Sequence, residues 1–118
     1  MKLIACVDSE LGLAFNNRRL SHDEEVIKRI KNLAPKLYIN PYSKDLFPEA
    51  IEGLGEFFFA EVDLPDCVPD EIYLFNWNRL YPKDLTFTID LNNYELLSTE
   101  DFRGSSHEKI TSTHYRRK

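Results

Sequence analysis

Basic residues, cysteine and long apolar runs are all in short supply in this chain, and each shortage excludes a class of function. Fifteen Lys and Arg stand against 20 Asp and Glu, a net charge of −5. The chain therefore lacks the basic surface that displaces counterions from a nucleic acid. Its acidic balance favours solubility and suits a basic partner. The two cysteines, Cys6 and Cys67, have no ligand spacing and read as free thiols in a reducing cytosol. The N-terminal apolar run Leu3-Ile4-Ala5-Cys6-Val7 is too short for a signal-peptide core or a membrane span, and no later run is longer. These readings predict a cytoplasmic protein without membrane or nucleic-acid contacts. No HExxH, CxxC pair or histidine-rich cluster is present, so no metal site is expected. His107 and His114 have an odd spacing, which on one strand puts them on opposite faces.

The composition is otherwise that of a globular protein. Of 118 residues, 42% are hydrophobic and 30% charged, enough for one domain spanning residues 1–118 with a modest core. No repeat, low-complexity tract or linker interrupts it. Lys2 to Val7 reads as a strand buried on both faces. Asp8 to Arg19 reads as a polar loop, with Gly12 and Asn16-Asn17 as turn formers. Ser21-His22-Asp23-Glu24 has the form of a capping box. The helix after it buries Val26, Ile27, Ile30 and Leu33 and is stopped by Pro35. Lys36 to Asn40 is a second short strand, and Ser43 is read as the cap of a helical turn through Leu46 and Phe47. Glu56 to Glu61 reads as a third strand leading into a helix. Glu71 to Asn78 alternates Ile72 and Leu74 against Tyr73, Phe75 and Trp77. Leu85 to Leu91 is an extended segment of the same kind. Tyr94 to Phe102 and Ile110 to Tyr115 pair through the Gly104-Ser105-Ser106 turn. The fold class is α/β: a mixed, mostly parallel sheet closed by a C-terminal antiparallel hairpin.

In their order, several of these pieces resemble dihydrofolate reductase. Ile4 to Leu13 is similar to that family's first strand and the start of its mobile substrate loop, and Asp23 to Arg29 to its first helix. Lys36 to Ile39 followed by Asn40-Pro41-Tyr42-Ser43 resembles the second strand and its phosphate-binding turn. Glu71 to Leu74, Phe87 to Asp90 and Tyr94 to Leu96 resemble the C-terminal strands. The resemblance implies a reduced version of the dihydrofolate reductase fold. It also implies that Asp23 falls near the active-site carboxylate, where a raised pKa would let it act as an acid. The plainer reading of Asp23 is an acidic residue at the positive end of a helix dipole.

The departures from the family are specific. The segment between Phe47 and Glu56 is short where the family has elements that cradle the adenosine end of its cofactor and a basic residue for the folate tail. Ala60-Glu61 stands where the family has a glycine pair that lets backbone approach the cofactor. A carboxylate there repels a pyrophosphate. Pro41 or Tyr42 replaces a basic residue, leaving Ser43 and the pair Arg18-Arg19 as anion contacts. No cofactor is expected.

Three functions follow from these readings. The first is a binding or regulatory module that acts through a protein partner, as a monomer or as a homodimer paired along a sheet edge. Its contact surface would be the loop around Asn16 to Arg19 together with Asn76-Trp77-Asn78-Arg79-Leu80-Tyr81, a tryptophan among amides, an arginine and a tyrosine; the alternative for Trp77 is a place at the rim of the core. The second is a small enzyme that keeps the old cleft, with Asp23 as general acid and Ser43 as anion contact. The third is a nuclease-like hydrolase using His107 or His114. A pocket holding a perturbed Asp23 points to the enzyme, and a filled cleft with an exposed apolar patch near Trp77 points to the binding module.

Overall fold

The computed structural model describes all 118 residues. Strand β1 (Lys2–Val7) is its axis, because its side chains are apolar on both faces. Leu3, Ala5 and Val7 point one way and Ile4 the other, with period two. Both neighbours of β1 are parallel to it: β6 (Phe57–Ala60) on one side and β7 (Glu71–Asn76) on the other. Beyond β6 lie β4 (Leu37–Ile39) and the two-residue edge β5 (Ile51–Glu52); beyond β7 lie β10 (Ile110–Arg117) and β9 (Tyr94–Phe102). The seven strands run β5-β4-β6-β1-β7-β10-β9, parallel except for β10, which is antiparallel to both β7 and β9. The expected α/β sheet with a C-terminal antiparallel hairpin is the one observed.

One helix, α1 (Glu24–Leu33), covers one face of this sheet. Val26, Ile27 and Ile30 pack with Ile4, Phe59, Phe75 and Trp77. The other face is covered without a helix. Leu3, Ala5, Phe58, Ile72 and Leu74 pack against Leu13, Ala14 and Phe87. Leu13 and Ala14 belong to β2 (Gly12–Phe15), which joins β3 (Arg18–Arg19) and β8 (Leu85–Thr86) in a second, antiparallel sheet.

That small sheet corrects the loop expected over Asp8 to Arg19. Asn16 and Asn17 both take positive φ, 51° and 60°, as a tight hairpin turn requires, so the turn formers join two strands. Gly12 enters this sheet beside Asp8, where a Cβ would run into the Lys83 side chain and the Asp8 carboxylate. The extended segment from Leu85 pairs only over β8. Phe87, Ile89 and Leu91 still pack on the same core face, so their alternation records burial rather than a ladder.

Two helical expectations also change. Asp23, not Ser21, caps α1: its side chain accepts from the Glu25 amide. The turn at Ser43 is a 3₁₀ helix, Pro41–Asp45, capped by Asn40 without a side-chain bond. No helix follows β6. The chain leaves Ala60 through an irregular segment containing Pro65 and Pro69, whose missing N–H groups disfavour one. No helix is long and apolar enough to cross a membrane.

Candidate functional site

Two polar clusters flank one end of the cleft between α1 and the sheet, and both are built from residues distant in sequence. The first gathers around Asp23, the buried N-cap of α1. Its carboxylate accepts five hydrogen bonds: from the amides of Glu25, Ser105 and Ser106, from Ser106 Oγ and from His107 Nδ1, at 2.9–3.1 Å. The residue is 1% exposed. Burial alone would favour the neutral acid, but the amides of Ser106 and Ser105, His107 and the Glu25 amide outweigh it. They hold the carboxyl well below its ordinary value. The expected raised pKa is therefore corrected: Asp23 is an anion fixed in place, with no proton to donate near neutral pH.

His107, one of the two histidines of the hydrolase reading, completes this cluster. Its Nδ1 is 2.9 Å from Asp23 Oδ2. An ionised carboxylate can only accept, so Nδ1 carries a proton, and in the neutral imidazole Nε2 presents its lone pair. That lone pair faces Ser21 Oγ at 3.1 Å, with the Tyr81 hydroxyl further off at 3.4 Å. Trp77 stacks on the imidazole with ring centroids 4.6 Å apart. The loop can come this close because residue 104 is glycine; a Cβ there would run into the Asp23 carboxylate.

The second cluster occupies the end of β6. The Glu61 side chain is 5% exposed and is gripped by Arg19 through both Nε and Nη2. Ser43 Oγ donates to Glu61 Oε1 at 2.6 Å. The other edge of the Arg19 guanidinium meets Asp45 at 2.8 and 2.9 Å, which lowers the Asp45 pKa. The Arg19 side chain lies over the Tyr42 ring, whose hydroxyl accepts the Arg19 amide at 3.0 Å. Burial raises the pKa of the nearby Cys6 thiol, and the Glu61 charge adds to the shift, which disfavours the thiolate.

Between the clusters the cleft is nearly full. Leu13, Val26, Phe47 and Phe59 line a cavity of about 20 Å³, the space of roughly one water. A pocket for a drug-sized ligand needs about 300 Å³ or more.

The structure brings some predicted residues together and separates others. Trp77 and Tyr81 reach Asp23 through His107. Trp77 is 2% exposed, which corrects its reading as a contact surface: its ring is part of the core. Asn76 and Asn78 fold the chain end of β7, Asn78 donating to Lys109 and Thr111. Arg79 contributes its carbonyl to the Ser9 amide. Of the predicted anion contacts, Ser43 and Arg19 are committed to Glu61, and Arg18 alone is exposed at the β2–β3 hairpin. His114 lies away from all of these, stacked on Tyr73 and 2.6 Å from Glu71. No group of three or more His, Cys, Asp or Glu side chains gathers as a metal site would need.

Comparison with known proteins gives the fold. No protein-family model matches the chain, and no curated protein sequence does. Among solved structures it is similar to the dihydrofolate reductase from Enterococcus faecalis complexed with NADP(H) and RAB-propyl. The TM-score is 0.69 at 12% identity, and the alignment covers 98% of this chain and 95% of the other. The chain has a dihydrofolate-reductase-like α/β fold.

Proposed function

We propose that this protein is a binding or regulatory module on a dihydrofolate-reductase-like fold, acting through a protein partner and performing no nucleotide-dependent reduction. The observation that carries the reading is the Arg19–Glu61–Ser43–Asp45 cluster. In the resemblance, the chain after β6 and the turn at Asn40 to Ser43 are where backbone and hydroxyl groups would approach the cofactor's phosphates. Here a buried carboxylate fills the first and accepts the hydrogen bond of the serine hydroxyl of the second. Arg19, the only cation of the cluster, is shared by two carboxylates. An added pyrophosphate would meet net negative charge at short range and low dielectric. The residues present do not fit a dinucleotide cofactor.

The nearly filled cleft supports the same reading over that of a pterin reductase. Titration of the protein with NADPH, followed by calorimetry, is expected to show no saturable binding up to millimolar cofactor. Saturable binding in the micromolar range would overturn the reading.

A protein partner has a candidate docking edge in β9. It is an outer strand, nearly all exposed, with Leu96 52% and Leu97 39% accessible. Unpaired edges of this kind invite strand addition. A second copy of the chain is one such partner: a dimer mass by light scattering at high concentration, lost when Leu96 is changed to lysine, supports it, and a monomer mass throughout counts against it.

A further inference from the structure

We propose that Ser21, His107 and Asp23 form an acyl-transfer site in which Ser21 is the nucleophile, acting on esters of short apolar acyl groups. The inference goes beyond the binding reading above and is independent of it. It rests on an arrangement that no local motif announces, because Ser21 and His107 lie 86 residues apart.

The geometry supplies each role in turn. Ser21 Oγ has one partner in the chain, His107 Nε2 at 3.1 Å. His107 Nδ1 bonds to Asp23 Oδ2 at 2.9 Å. Asp23 is itself anchored by main-chain amides from both α1 and the Ser105-Ser106 turn. These are the nucleophile, the base and the group that orients the base, each within hydrogen-bond reach of the next. The tautomer is fixed, since the anionic carboxylate demands the Nδ1 proton and leaves Nε2 free to take one. The ring plane is fixed by Trp77 stacked at 4.6 Å. Exposure also has the right polarity. His107 is 4% exposed, whereas Ser21 is partly exposed at the cleft mouth, so a substrate meets the hydroxyl first.

The small cleft beside Ser21 limits the acyl group. It is lined by Leu13, Val26 and Phe47 and has only about 20 Å³ free, which excludes a long acyl chain and leaves a short apolar group to rest at its mouth. The main-chain N–H of His22, next to the nucleophile, is taken by no acceptor in the chain and is available to the oxyanion.

The chemistry balances with water as the only co-reactant. Ser21 Oγ forms a bond to the ester carbonyl carbon as its proton passes to His107 Nε2, and the carbonyl electron pair moves onto oxygen. Collapse of that intermediate breaks the bond to the alkoxy oxygen, which takes the proton from Nε2 and leaves as the alcohol. Water then adds to the acyl carbon, giving its proton to Nε2. The bond to Oγ breaks and the proton returns to Ser21, releasing the carboxylic acid.

The test uses the full chain and two probes, p-nitrophenyl acetate for turnover and an alkyl fluorophosphonate for a stable adduct. Hydrolysis above background is expected, with the fluorophosphonate carried by Ser21 in peptide mapping. Ser21→Ala should remove the adduct and lower the hydrolysis rate by about 10³-fold or more, with an unchanged circular dichroism spectrum and melting temperature. His107→Gln, which keeps a polar side chain in the stack, should lower labelling in the same way while Ser21 stays present. Turnover by Ser21→Ala at the wild-type rate, adducts on other residues, or no Ser21 adduct from the wild-type protein would each overturn the proposal. Nucleotide binding does not enter this experiment, so its outcome is separate from that of the NADPH titration.

Discussion

Replacing Asp23 by alanine is expected to destabilise the protein by about 3–5 kcal/mol, the sum of a lost helix cap and of several donors left without their acceptor. The size follows from how much one carboxylate holds. It caps α1 through the Glu25 amide and ties down the Ser105 and Ser106 amides, which belong to the hairpin loop 82–83 positions later in the chain. Its removal leaves the buried His107 Nδ1–H and three partly buried amides without their acceptor, and a buried donor left unpaired carries a desolvation cost of about 1–3 kcal/mol. A domain of this size has a total stability of roughly 5–15 kcal/mol, so the variant should be marginally folded. Urea unfolding followed by circular dichroism checks this; a loss under about 1 kcal/mol, the worth of an ordinary cap, would mean the loop has other anchors.

The same carboxylate makes stability depend on acid. The folded protein holds Asp23 well below its ordinary value of 3.8, and Asp8 is also lowered. Burial opposes the charge on Asp8, but Lys83 and the amides of Gly12, Glu10 and Tyr81 outweigh it. A carboxyl that is more acidic folded than unfolded gives the unfolded state the extra protons in acid. Its contribution is complete above the ordinary value and is lost as pH falls below it. Wild-type stability should therefore drop steeply below about pH 4, and the Asp23→Ala variant should show a shallower drop.

How much of this was legible in the sequence depends on the range of the interaction. The continuous apolar run of β1 and the period-two alternation of β7 are local properties, and the second puts Ile72 and Leu74 on one face and Trp77 on the other. The apolar spacing of α1 likewise gave its buried side. Caps were less legible, because Ser21 and Asp23 are both good capping residues and the choice between them was made by Ser105, Ser106 and His107 arriving from the far hairpin. The same contact inverted the reading of Asp23. Near an active-site position a buried carboxylate suggests a raised pKa, but five donors reverse the sign. Trp77 among polar neighbours looked like a surface anchor, yet its strand phase, shared with Phe75, already pointed inward. Glu61 was legible as an obstacle to a phosphate; its partner Arg19, on another sheet and 42 residues away, was not.

That pair gives the second large effect. Arg19→Met should destabilise the protein by about 3–5 kcal/mol, because it leaves Glu61 buried with only the Ser43 hydroxyl beside it. The loss is a penalty for an uncompensated charge rather than a measure of what the ion pair contributes. The double variant Arg19→Met, Glu61→Met should recover most of it, since replacing a buried pair by apolar side chains of similar volume is often neutral or better. A double-mutant cycle from denaturant unfolding would then give a coupling energy of about 2–3 kcal/mol between the two positions, the upper part of the range for contacting residues. Additive losses would mean that Arg19 is held mainly by Asp45 at the surface, where ion pairs contribute about 0–1 kcal/mol, and that Glu61 is stabilised by Ser43 alone. If the pair can be made apolar without loss of stability, then the charge at the end of β6 is not required by the fold.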